Sequence, residues 1–284
     1  MASKIVLGTA QFGQDYGINN MGGKIARKEA FQILETALEN GVDTVDTAYA
    51  YGQSEQVLAE FISAGNSGLK IITKISSDEQ ISKSLKNLNS STIYGCLLHS
   101  FDQYKKIPGL FDFLLTLKRE GVISNIGFSL YYPGELQELL KSGLPVDIVQ
   151  FPYSVFDQRF APYLCGAARS GISLHVRSVF LQGLVFKPLD SLGTSFQPLK
   201  EKLSLLRDIA AENSLSVAAL CMLFALKNEH IDKVVVGVDG IKHFRQLLDS
   251  ARLDLDPGVL SSLVSLAVQD EDILIPSNWA KVEQ

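Results

Sequence analysis

The chain is predicted to fold as an α/β protein of the (β/α)8 TIM-barrel type. Eight short apolar, β-branched runs recur along its 284 residues, helical patterns lie between them, and no glycine-rich phosphate turn occurs. Near-continuous apolar runs suit parallel strands covered on both faces. Eight of them alternating with helices in a chain of this length point to a closed barrel. A doubly wound open sheet wants a G-x-G-x-x-G or Walker A turn early in the chain, and neither string is present. One barrel domain over residues 1–284 is expected.

The strand runs are 4–7, 42–46, 69–73, 93–98, 123–128, 146–151, 172–176 and 233–238. Between the first two, Ala30, Ile33, Leu34, Ala37 and Leu38 share a helix face that stops at Asn40-Gly41. Val57, Leu58, Phe61 and Ile62 mark the next helix, with Ser54 as its expected N-cap. Leu110, Phe113, Leu114 and Leu117 mark another, then Leu136, Leu139 and Leu140, then a weaker pattern over 159–169. Leu203, Leu206, Ile209 and Ala210 form a stripe, followed by an apolar stretch over 217–226 behind Ser214 or Ser216. A last pair lies at 242–250 and 257–268. The longest connection without periodicity, 180–197, follows the seventh strand and opens at the face where barrel active sites sit.

Composition narrows the function classes. Hydrophobic residues make up 46% and charged residues 20%, as in a globular protein with a sizeable core. Net charge is −5 with no long basic run, so neither nucleic acid nor an anionic membrane is an expected partner. No run reaches the ~18 apolar residues of a membrane span, and MASKIVLGTA lacks a signal-peptide layout. Cys96, Cys165 and Cys221 are widely spaced and odd in number. They read as free thiols of a reducing cytoplasm, and no metal site is expected. Oligomeric state is not legible.

Chemistry concentrates at strand ends. Asp46 and Tyr51 follow the second run, Lys74 the third and His99 the fourth. A phenol with its usual pKa of ~10 is too weak an acid near neutrality, and a neighbouring ammonium lowers that value. Lys74 can supply the charge, and Asp46 beside it keeps a buried lysine charged. His99 can bond both the phenol and a substrate oxygen. Such a set protonates an alkoxide formed when hydride attacks a carbonyl. No side chain supplies hydride, so a nicotinamide cofactor is implied.

The chain resembles the aldo-keto reductases along essentially its whole length. The carrying segments are LGTAQFG, GVDTVDTAYAYGQSE, IITKIS, LLHS, IGFS, VQFPYS and VRSVFLQG. The resemblance implies Tyr51 as the acid, with Lys74, Asp46 and His99 as its partners. It implies a cofactor held by Thr9, Ser129, Gln150, Arg177, Ser178 and Gly183, and at the adenosine end by Gly237, Lys242, His243 and Arg245. Some positions depart from the family: Leu130 stands where an Asn binds the carboxamide, Arg177 where an aromatic ring stacks on the nicotinamide, Gly237-Val238 where Lys-Ser often occurs, and His243 near the usual Arg. NADPH is the expected cofactor, with NADH possible because Asp239 favours a free ribose hydroxyl. The substrate is expected to be a small carbonyl compound, polar or sugar-like. A single tryptophan, Trp279, and a polar first loop motivate this, with Phe12, Tyr16, Tyr49 and Trp279 as lining residues and Tyr153 at the same mouth. Two rival functions remain at this point: a cofactor-binding regulatory subunit with little turnover, and a non-redox barrel enzyme with Lys74 as a Schiff-base former.

Overall fold

The computed structural model describes residues 3–20, 22–107 and 109–279. Eight parallel strands close into a barrel in chain order. They are β1 (Ile5–Gly8), β2 (Thr44–Asp46), β3 (Lys70–Ile75), β4 (Ile93–Leu98), β5 (Ile123–Ser129), β6 (Ile148–Pro152), β7 (Ser173–Arg177) and β8 (Lys233–Val236). β8 closes the ring on β1, with Ile5 opposite Val234 and Leu7 opposite Val236. Every expected run contains a strand, with ends shifted by no more than two residues. β2 begins late because Val42 closes the C-terminal cap of the preceding helix, its N–H bonded 2.8 Å to the Ala37 carbonyl.

Side-chain alternation decides what reaches the site. Outward residues such as Val45, Cys96, Phe128, Val149 and Leu174 join the core beneath the helices. Inward ones build two levels. Ile72, Leu97 and Ile148 form a separate apolar cluster inside the barrel. Two residues further along the same three strands stand Lys74, His99 and Gln150, so a polar layer sits above an apolar floor.

The helices follow the expected stripes, with corrections. Arg27–Glu39 ends at Asn40-Gly41, where Gly41 takes φ +74°. Ser54 is not an N-cap but the first residue of Ser54–Ser63, and its hydroxyl turns inward to Thr9. Ser216 caps Val217–Leu226 by accepting from the Ala219 N–H. That helix is buried nearly all round, which removes a one-sided pattern. Residues 159–169 divide into a 3-10 turn, Ala161–Tyr163, and the short helix Leu164–Arg169. The helix expected over 257–268 ends at Val264. Asp78–Asn87 is a helix the pattern missed, because only Ile81 and Ser84 on it are buried. The 180–197 connection contains three 3-10 turns, Leu181–Phe186, Leu189–Ser191 and Thr194–Phe196. Among the described residues no single helix is long and apolar enough to cross a membrane.

Candidate active site

A cleft opens at the C-terminal ends of the strands, where barrel sites form. Asp46, Tyr51, Lys74 and His99 all line it. Lys74 and Asp46 are 1% and 3% exposed, and the ammonium lies 2.5 Å from Asp46 Oδ1. Lys74 also donates to the Thr47 carbonyl at 3.2 Å. The second carboxylate oxygen, Oδ2, accepts from Gln150 Nε2 at 2.8 Å. Lys74 Nζ lies 5.2 Å from the centre of the Tyr51 ring, and His99 meets that ring edge-on at 6.1 Å.

The Tyr51 loop is held by close backbone approach. A Cβ on Gly13 would fall 1.7 Å from the Tyr51 carbonyl oxygen. Gly52, at φ +55°, leaves no room for a Cβ against Gly13. Ser54 Oγ lies 2.9 Å from the Thr9 carbonyl, and Thr9 Oγ1 donates to the Asp46 carbonyl at 3.0 Å. Buried Glu55 accepts from Thr73 Oγ1 at 2.7 Å and from Asn87 at 2.9 Å. The Ser-Glu of the DTAYAYGQSE string therefore ties the loop to β1 and β3.

The electrostatics differ from the expectation. Burial, then the Asp46 carboxylate, holds the Tyr51 phenol well above the ordinary value of 10, while Arg177 pulls it down. Lys74 was expected to depress it, but its charge is met at contact by Asp46. Burial, with Lys74 and Arg177 adding, pushes the His99 imidazole down to about 3. His175, inside the barrel, is likewise pushed down to about 3 by burial and by Lys233 and Lys74. Both imidazoles are thus neutral in the fold at pH 5, whereas an unfolded chain protonates them below 6.5. Because the unfolded state binds more protons there, stability falls as pH drops from 6.5 towards 3. Denaturant midpoints should be lower at pH 5 than at pH 7, and the drop should shrink in His99→Gln and His175→Gln. An unchanged drop in both variants would place its origin elsewhere.

Thr9, Tyr16, Ser129, Gln150, Arg177, Ser178, Gly183 and Gly237 line the cleft as expected. Arg177 pairs with no acid among the described residues. Its guanidinium stacks 4.4 Å from the centre of the Tyr131 ring and donates to the Leu130 carbonyl at 3.1 Å and to Ser178 Oγ at 3.2 Å. The Leu130 side chain is buried in the core, so that residue meets the site through its backbone.

Seven residues expected at the site lie elsewhere. Phe12 is buried in the outer core. Tyr49 faces a second, shallow hollow with Lys83 and Lys86. Trp279 packs edge-on against Phe196 and gives its indole N–H to the Ile273 carbonyl. Lys242, His243 and Arg245 are exposed on the helix Ile241–Ser250 and do not line the cleft. Tyr153 is also away from it, stacked on Phe224. Conversely, Tyr131, Phe180, Gln182 and Phe186 line the cleft, and the three rings make its wall more aromatic than the first loop suggested. The 180–186 segment crosses to that loop: Gln182 accepts from the Ile18 N–H at 3.0 Å and its amide donates to the Tyr16 hydroxyl at 3.2 Å.

Among the described residues no three His, Cys, Asp or Glu side chains are grouped to hold a metal ion. The polar layer does fit a dinucleotide. Gln11 and Gln150 each leave a buried side-chain oxygen without a partner, and both residues line the cleft. Because Gln150 Nε2 is committed to Asp46, its Oε1 is left to receive a donor such as a carboxamide NH2.

Fold and site together define a barrel oxidoreductase. Residues 4–267 match the aldo/keto reductase family, and the chain belongs to it as an NAD(P)H-dependent oxidoreductase of carbonyl compounds. It is 25% identical over 277 residues to the uncharacterized oxidoreductase YqkF of Bacillus subtilis, spanning 86% of this chain and 90% of that one. It is 23% identical to pyridoxine 4-dehydrogenase of Escherichia coli, over 84% of this chain and 86% of that one. The holo form of aldo-keto reductase AKR11C1 from Bacillus halodurans shares the fold with a TM-score of 0.77 and 21% identity, covering 94% of this chain and 93% of that one.

Proposed function

We propose that the chain reduces an aldehyde or ketone to an alcohol with Tyr51 as proton donor. The observation that carries this is the Lys74–Asp46 ion pair buried beside Tyr51. When bound, the nicotinamide supplies the hydride. The substrate oxygen rests against the Tyr51 hydroxyl and neutral His99. A phenol held above its ordinary pKa keeps its proton until the far more basic alkoxide develops. It then gives the proton up, and Lys74 steadies the phenolate left behind. Asp46 balances Lys74, and Gln150 orients Asp46.

The substrate reading is a polar or hydroxylated carbonyl. Arg177 brings a cation without a carboxylate partner to the wall, and Tyr16, Asn19 and Gln182 add hydrogen-bonding groups. Tyr131, Phe180 and Phe186 give the opposite character, so the balance is decided by turnover. Carbonyl-dependent oxidation of a reduced nicotinamide cofactor tests the activity. A preference in kcat/KM of ~10-fold or more for a small hydroxyaldehyde over benzaldehyde is expected, the scale of one or two pocket contacts. A preference for benzaldehyde overturns the substrate reading.

Of the two dinucleotides, NADPH was expected through Lys242, His243 and Arg245. Their placement outside the cleft removes that support.

A further inference from the structure

The end of the cleft at β8, across the barrel from β4 and His99, carries the Gln11 amide and the Asp239 carboxylate. Gln11 reaches it from the first loop and packs against Gly237, where a Cβ would stand 3.0 Å from both amide heteroatoms. Gln11 is 6% exposed, and its Oε1 has no hydrogen-bond partner. Asp239 lines the same end. The helix Ile241–Ser250 starts immediately after it, and a free helix N-terminus would attract an anion. This one already carries a carboxylate. The Ile241 N–H donates to Glu29 Oε1 at 2.9 Å, and a Cβ on Gly240 would lie 2.8 Å from that same oxygen. The cations on this helix are exposed and outside the cleft.

Unpartnered acceptors call for donors. Ribose hydroxyls are donors. A phosphate monoester carries ~1.5–2 negative charges and donates nothing when fully ionised. At this end it would face Asp239, while the Arg177 cation of the same cleft turns towards Tyr131 and the Leu130 carbonyl after β5. An acidic side chain accepting from a ribose 2′-hydroxyl is a general means of selecting the unphosphorylated dinucleotide.

The geometry points to a β8 end that selects NADH over NADPH. Asp239 and Gln11 accept from the adenosine ribose, Asp239 rejects its 2′-phosphate, and Glu29 fills the helix N-terminus that would otherwise hold that phosphate. This rests on the oxidoreductase reading, which puts the nicotinamide end at Tyr51 and sends the other end across the mouth.

The test is calorimetric binding of NADH, NADPH, ADP-ribose and 2′-phospho-ADP-ribose to the full chain. NADH should bind ~10-fold or more tightly than NADPH, with a matching ratio for the two fragments, which lack nicotinamide. Asp239→Asn and Glu29→Gln should each narrow the ratio by tightening the phosphorylated ligand, and the gain should fade with added salt. Equal or tighter binding of NADPH by the parent chain overturns the inference. So does a ratio unmoved in both variants. NADH preference without carbonyl-dependent oxidation sinks the reductase reading alone, and binding of neither dinucleotide removes both.

Discussion

Tyr51→Phe should lower carbonyl reduction by ~10²-fold or more while leaving cofactor affinity near that of the parent. The substitution removes one oxygen and keeps the ring, so the edge-on contact with His99 and the position over Lys74 survive. What is lost is the single proton that the cleft presents to a substrate oxygen beside the buried ammonium. His99 is a poor replacement, because burial and the neighbouring cations keep it neutral down to about pH 3. A neutral imidazole can donate a hydrogen bond but is a weak proton source. The loss should therefore appear in kcat, with the dissociation constant of the reduced cofactor little changed. Tyr51→Phe with near-parent turnover would move the acid role to another group.

The strands were legible because parallel strands covered on both faces read as continuous apolar runs, with no partner face to confuse them. The polar layer was legible too. Lys74, His99 and Gln150 end otherwise apolar runs, and a charged residue there has few places to go. Helix Asp78–Asn87 was not read: its stripe is thin, Ile81 and Leu85 on an otherwise polar helix with Leu88 just past its end. Loop side chains were the other failure. Tyr49 lies two residues before Tyr51, and nothing in the string says that one turns outward and the other inward. The turn is set by Gly13 pressing on the Tyr51 backbone, a contact between loops 38 positions apart. Trp279 was placed by its rarity, yet its N–H is satisfied by the Ile273 carbonyl and its ring by Phe196. The cation cluster after β8 was read from spacing alone. Its helix turns Phe244, Leu247 and Leu248 inward, which leaves Lys242, His243 and Arg245 facing solvent.

Asp46→Asn should destabilise the fold by ~3–5 kcal/mol and lower turnover together, because it removes one charge of a pair that has no access to water. The carboxylate serves two donors at once: Oδ1 takes Lys74 and Oδ2 takes Gln150. An amide offers one oxygen for both. Whichever donor loses, a buried polar group is left unpaired, and if it is Lys74 the unpaired group is a full positive charge 1% exposed. The control is the double variant Asp46→Asn with Lys74→Met. It removes both charges and leaves an apolar stem of similar length, so it should recover much of the lost stability. It should recover none of the activity, since Tyr51 then gives up its proton with no cation beside the phenolate. Denaturant midpoints and kcat for the two single variants and the double form a thermodynamic cycle. A coupling of 1 kcal/mol or less would mean that the pair behaves as a solvated one, and the role of Lys74 in steadying Tyr51 would fall with it.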